Sequence, residues 1–201
     1  MLLKRANGIL CVRALALISK PINTQTKNNM DYISTYHSPL GDALLASDGE
    51  RLIGLWFEGQ KHFGANLSEN TSPKELSVFE KTSHWLDLYF KGEIPGFVPP
   101  LSPRGSAFQK EVWDILLSIP YGETLTYGEI AKRIAMKRGM QKMSSQAIGG
   151  AVGHNPISLI IPCHRVVGAG GSLTGYAGGL EKKEKLLALE KGDKSWLPLS
   201  D

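Results

Sequence analysis

The sequence predicts two units of different class. An α/β N-terminal domain, an antiparallel sheet with one helix, covers residues 30–98, and a mainly α C-terminal domain of winged helix-turn-helix type covers residues 104–192. Three observations predict this. Short apolar-alternating runs separated by turn signals fill the stretch after Asp31. "EIPGFVPPLSPRG", residues 93–105, holds four prolines and reads as a boundary. Beyond it, helix-capping patterns recur ahead of apolar faces of period 3.6.

In the first unit, "YISTYH", "DALLAS" and "RLIGLWF" are separated by Ser38-Pro39-Leu40-Gly41 and Ser47-Asp48-Gly49-Glu50. Such turn residues between β-prone runs predict an antiparallel meander. Ser72-Pro73-Lys74-Glu75 has the form of a capping box with proline at the first helical position. It predicts a helix with Leu76, Phe79, Ser83, Leu86 and Phe90 on one face, ending at Gly92.

In the second unit, Ser106-Ala107-Phe108-Gln109 starts a helix with Phe108, Val112, Leu116 and Ile119 inward, broken at Pro120-Tyr121-Gly122. Thr126-Tyr127-Gly128-Glu129 starts another with Ile130, Ala131 and Ile134 inward. After the basic loop from Lys137 to Lys142, Ser144-Ser145 caps "QAIGGAVG", which stops at Gly153. Interior Gly149 and Gly150 each cost about 1 kcal/mol relative to alanine. They permit close approach, either to another helix or to DNA. Ile157 to Ile161 is a continuous apolar run that predicts a buried strand, ended by Pro162, which has no N–H to donate.

Charge separates the halves. Residues 1–100 carry ten basic and ten acidic side chains, and residues 101–201 carry thirteen and nine, so the net +4 sits in the second half. No Asp or Glu lies between Ile130 and Leu180, where Lys132, Arg133, Lys137, Arg138, Lys142 and Arg165 fall. A solvated basic face explains a single run of charge; an acid-free segment of this length also fits phosphate contact.

Residues 1–29 read as a disordered leader: Arg13 interrupts their apolar part, which makes a poor signal peptide, and Met30 stands as an alternative start. Of the two cysteines, Cys11 lies in that leader, so no structural disulfide is expected and a reducing cytoplasm fits best. No cysteine–histidine spacing resembles a zinc site, and no phosphate loop or dinucleotide fingerprint is present, so no metal and no cofactor is expected.

Cys163 carries the chemistry. A lone cysteine is more often an inert core residue than a nucleophile. Here His164 and Arg165 follow it directly, and both favour a thiolate. Adjacent side chains of an extended chain point to opposite faces, so His164 would act on the thiol through a relay rather than a direct contact. In "LEKKEKLLALEKG", Glu190 shares a helical face with Leu186 and Leu187. A carboxylate on the buried side near a helix C-terminus needs a partner, and His164 is a good one; the alternative is a frayed, solvated last turn.

"IPCHRVVG", preceded by "GHNPISLI" and followed by "GSLTGYAGGLEKKEKLLALE", resembles the alkylguanine-DNA alkyltransferases, also called methylated-DNA–protein-cysteine methyltransferases. The resemblance runs from about Asp31 to Gly192 and is strongest from Gly105 onward. It implies a ribonuclease-H-like first domain. The second would be a monomer's grip on the minor groove of double-stranded DNA, with the alkylated guanine flipped out. Cys163 is then the alkyl acceptor, deprotonated by His164 through a water, with Glu190 orienting the imidazole. Asn155 braces the turn between recognition helix and active-site strand, and Tyr127 rotates a phosphate and protonates the departing guanine. Gly175, Tyr176 and Ala177 wall the pocket, and the backbone of Cys163 and Val166 reads the base edge. Gln146, Ala147, Gly150 and Arg165 face the DNA. Two departures stand out: Gln146 replaces the arginine finger of many members, and Ala177 stands where some carry serine. Rival readings are a non-catalytic sensor of alkylated DNA, which would lack the cysteine, and a cysteine hydrolase, which needs a distant histidine touching the thiol.

Overall fold

The computed structural model describes residues 30–197, so the expectations for residues 1–29 lie outside the described residues. Three strands form the expected meander: β1 (Met30–Ser38), β2 (Gly41–Ser47) and β3 (Leu52–Phe57), each antiparallel to the next. A fourth strand, β4 (Asn70–Pro73), pairs parallel to β1, which makes the sheet mixed, in the order β3-β2-β1-β4. This overturns one helix start. Ser72 and Pro73 do not cap a helix but end β4, opposite Tyr32 and Ile33. Helix α1 (Ser77–Phe90) instead begins after Leu76, whose side chain caps nothing. Proline lacks a ladder donor, and it is tolerated here because β4 is the edge of the sheet.

The helices of the second unit start where their caps place them. Ser106 and Gln109 form both bonds of a capping box at α2 (Ala107–Leu117), and Thr126 and Glu129 do so at α3 (Tyr127–Lys137). Ser144 caps α4 (Ser145–Gly153) by accepting from the Gln146 N–H. Helices α2, α3 and α4 pack on one another. Beside them, β5 (Leu125–Thr126) and β6 (Val166–Val167) form a short parallel pair, and α5 (Leu180–Glu190) closes the unit.

The predicted strand over residues 157–161 is a buried turn. Leu159 has φ +67°, and the N–H groups of Ile160 and Ile161 bond back to the carbonyls of Ser158 and Ile157. Only its first residues touch the sheet: Leu55 donates to the Pro156 carbonyl and accepts from the Ser158 N–H. An apolar run reports burial, not extension, because periodicity cannot separate a buried strand from another buried conformation.

One core joins the two units. Leu55, Phe57, Leu86 and Tyr89 of the first pack in the same cluster as Val112, Ile130, Ile161 and Leu186 of the second. The N-terminal sheet and α1 thereby buttress the turn that carries Cys163. No helix of the described residues is long and apolar enough to cross a membrane.

Candidate active site

Cys163, His164 and Arg165 form a single 3-10 turn directly after Pro162. The turn sends neighbouring side chains different ways, as an extended chain would have done. The Cys163 thiol faces a cavity of about 250 Å³ beside α4. His164 turns inward and is fully buried.

Behind the turn, the His164 Nε2 lies 2.7 Å from Oε1 of Glu190, whose side chain is also fully buried. Glu190 is therefore inward and paired, not frayed. Burial alone would raise its carboxyl, but hydrogen bonds from His164 and Arg165 outweigh that and hold it at about 2. Being a carboxylate it can only accept, so the shared hydrogen sits on Nε2. The other ring nitrogen, Nδ1, is then an unprotonated acceptor, and it has no partner in the protein. Burial, helped by the nearby Arg165 and Lys183 charges, lowers the imidazole's affinity for a second proton more than Glu190 raises it, which keeps the ring neutral. A neutral imidazole with a bare Nδ1 is a base in waiting.

Glu190 gathers further partners. Arg165 grips it with Nε at 2.9 Å from Oε2 and Nη2 at 3.0 Å from Oε1, and spends Nη1 on the Ile119 carbonyl. The Tyr89 hydroxyl of α1 donates to Oε1 at 2.8 Å, and the Gly122 N–H donates to Oε2 at 3.0 Å. Arg165, expected on the face toward DNA, is instead buried and bound behind the turn. Its charge neutralises the carboxylate that orients His164, which is why an arginine can be buried here.

Asn155 braces the cysteine turn by itself. Its Nδ2 donates to the carbonyls of Ile157 and Ile161 and, at 3.1 Å, to Sγ of Cys163. Its Oδ1 accepts from the Ile157 N–H. Burial pushes the Cys163 thiol above its ordinary value; the Asn155 amide and the nearby Lys183 ammonium pull it back only in part.

Lys183 was not among the expected site residues. It is fully buried, and its Nζ donates to the carbonyls of Val166, Thr174 and Gly175. Burial lowers it to about 8. It ties the loop over the cavity to the strand after Cys163. The signal for it was legible: Lys183 stands on the same helical face as Leu186, Leu187 and Glu190.

Other expected residues divide into those the fold brings together and those it does not. Tyr127, Gly150, Gly175, Tyr176 and Ala177 all line the cavity with Cys163. The Tyr127 hydroxyl donates to the Gly175 carbonyl at 3.2 Å, and a Cβ on Gly175, whose φ is +55°, would sit 2.9 Å from it. Burial raises the Tyr127 phenol, so it holds its proton. Gln146 lines an adjoining recess that shares Tyr127, Gly149 and Gly175 with the cavity. Ala147 is exposed at the same end of α4. Val166 is buried outside the lining; its N–H bonds Cys163 and its carbonyl accepts from Lys183.

Ile148, Ala151 and Val152 are the residues α4 packs inward. A Cβ on Gly150 would meet nothing within 4 Å, and one on Gly149 only a Tyr127 carbon at 3.9 Å. These glycines face open space, so helix–helix packing does not explain them. The basic surface is smaller than the sequence suggested: Arg138 pairs with Glu111 and Arg165 is buried, while Lys132, Arg133, Lys137 and Lys142 are exposed. Among the described residues, no group of three or more His, Cys, Asp or Glu could hold a metal ion.

Known proteins similar to this chain share one description. The family described as "6-O-methylguanine DNA methyltransferase, ribonuclease-like domain" matches residues 32–103, and its DNA binding domain matches residues 107–192. A methylated-DNA–protein-cysteine methyltransferase of Haemophilus influenzae is 45% identical over 80% of this chain and 86% of its own. One from Methanosarcina acetivorans is 46% identical over 79% of this chain and 97% of its own. Among solved structures, Mycobacterium tuberculosis OGT in complex with DNA is 41% identical, with a TM-score of 0.69 over 84% of this chain and 95% of its own.

Proposed function

Because the chain belongs to the 6-O-methylguanine DNA methyltransferase family, it is a methylated-DNA–protein-cysteine methyltransferase that repairs DNA by direct reversal, and we propose that Cys163 is its acceptor. The observation that carries the assignment is the cavity wall itself. A thiol lines it, and the adjacent residue is a buried imidazole whose free Nδ1 is set by a 2.7 Å bond to Glu190.

The chemistry follows from those atoms. A guanine flipped from the minor groove of duplex DNA enters beside α4 with its O6 substituent toward Sγ. A water bridging Nδ1 of His164 to the thiol passes the Cys163 proton to the imidazole, and Glu190 compensates the charge that appears there. Sulfur attacks the alkyl carbon, the carbon–O6 bond breaks, and the neutral Tyr127 phenol returns a proton to the departing guanine. The thioether has no route to hydrolysis, so one protein molecule repairs one base. Asn155 and Lys183 hold the turn and the loop in register for that displacement. Gln146, Ala147 and Gly150 form the face toward DNA, with Gln146 filling the space left by the base. Residues 30–98 serve as scaffold and residues 104–192 as the reacting domain, acting as a monomer in a reducing compartment such as the cytoplasm.

A hydrolase would need a histidine against the thiol; among the described residues the side-chain hydrogen-bond partner of Sγ is Asn155. The deciding experiment is incubation with duplex DNA containing methylguanine, followed by mass spectrometry. One methyl group on the peptide holding Cys163 is expected. More than one lesion removed per protein molecule, or an unmodified Cys163 after repair, refutes the reading.

A further inference from the structure

Two residues of the N-terminal domain reach the Cys163 cavity. Lys61 and His62 follow β3, yet both line it. The Lys61 N–H donates to the Ala177 carbonyl at 3.0 Å, so this loop grips the segment over the cavity on one side. On the other side, the His62 ring stacks on His154, the residue that ends α4, with centroids 3.9 Å apart and planes inclined by 28°. His154 is fixed in turn, because its Nδ1 donates to the Gly150 carbonyl at 2.7 Å. His62 holds φ +59°, a left-handed conformation that costs a residue with a Cβ about 1 kcal/mol. The loop thus holds a strained backbone to present that ring to the cavity wall.

The cavity has two distinct ends. Gln146, from the start of α4, lines the adjoining recess with Tyr127, Gly149 and Gly175. Gly153 and His154, at the other end of α4, line the Cys163 cavity. A base coming from DNA arrives at the Gln146 end. Whatever extends past its reacting carbon must then fit beneath whatever closes the His154 end. The volume of about 250 Å³ lies below the roughly 300–1,000 Å³ of ordinary small-molecule sites.

We propose that the His62–His154 stack is a size gate: it admits small O6-alkyl groups and excludes bulky ones, so the N-terminal domain sets the substrate range of the C-terminal nucleophile. The proposal rests on Cys163 being the alkyl acceptor. Both imidazoles are exposed at this part of the wall, so removing either ring opens space without breaching the core.

The test compares single-turnover transfer to Cys163 from two duplexes that differ only in carrying O6-methylguanine or O6-benzylguanine. His62→Gly removes the ring and suits the left-handed backbone; His154→Ala removes the other half of the stack. In each variant the benzyl-to-methyl rate ratio is expected to rise about tenfold, the scale of relieving a methylene-sized exclusion. A ratio is indifferent to general loss of folded protein, which slows both reactions alike. A rise below about threefold in either variant, well under that scale, overturns the gate. Absence of any alkyl group on Cys163 of the unaltered protein, from either duplex, would instead overturn the acceptor assignment itself.

Discussion

The His164 Nε2 and the Glu190 Oε1 stand 2.7 Å apart with both side chains fully buried, and that one bond decides which nitrogen of His164 can act. Because the carboxylate cannot donate, the ring must, and the acceptor lone pair is left on Nδ1. The pair is itself held by Arg165, Tyr89 and Gly122, so what surrounds Glu190 also sets how His164 is held beside Cys163.

Acid stability is expected to track Glu190. Its folded pKa of about 2 lies below the ordinary 4.5, so the unfolded chain binds the extra proton. Its stabilisation is full above the ordinary value and is lost as pH falls through the folded one, about 3 kcal/mol in total. Glu190→Gln should remove this acid-limb slope and, by leaving Arg165 unpaired, cost about 3–5 kcal/mol at neutral pH. Urea unfolding across a pH series measures both. An unchanged slope would dissociate Glu190 from the acid transition.

Tyr89→Phe removes the hydroxyl that shares Oε1 with His164. Oε1 is then shared by the imidazole and Arg165 only, which makes the imidazole more basic. The acid limb of the pH–rate profile should move upward, and the transfer rate should fall about tenfold, in line with loss of a hydrogen bond to a charged group. A purely packing role for Tyr89 would slow transfer without moving the limb.

Lys183→Met leaves the carbonyls of Val166, Thr174 and Gly175 without their ammonium donor and takes a positive charge from the thiol's surroundings. Transfer should slow by about ten- to a hundredfold, as expected where positioning is relaxed. Affinity for undamaged DNA should hold, because Lys183 is buried away from the surface. Rate and binding, measured on the same preparation, separate the two.

Gly150→Ala should stabilise the protein by up to about 1 kcal/mol, since alanine is the better helix former and the new methyl meets nothing within 4 Å. It should nonetheless weaken DNA binding, because the methyl occupies the surface where α4 would approach the groove. Denaturation and DNA titration together check it; a variant more stable and equally tight on DNA would take Gly150 out of the interface.

Much of this was legible before folding. Capping boxes at Ser106 and Thr126 announced α2 and α3 because they satisfy helix N–H groups locally, within four residues. Glu190 announced its burial through the leucines beside it. Failures came where a partner outside the pattern, distant in sequence for one and close by for the other, outbid it. Ser72-Pro73 reads as a helix start but is held by β1, and Ile157 to Ile161 reads as a strand but is drawn into a turn by Asn155.

The sequence alone determined the adjacency of Cys163 and His164, the inward face of Glu190 and the helices that frame them, since each rests on a pattern within one turn or one helical face. Only the tertiary structure decided where charge and side chains end up. It buried Arg165 against Glu190, brought Tyr89 across 75 residues to His164, and placed Lys61 and His62 of the first domain in the wall of the cavity that Cys163 lines. Those outcomes depend on which distant groups a side chain meets once water is excluded. A charge that reads as solvent-facing in a run of residues is drawn inward when a buried partner offsets its desolvation.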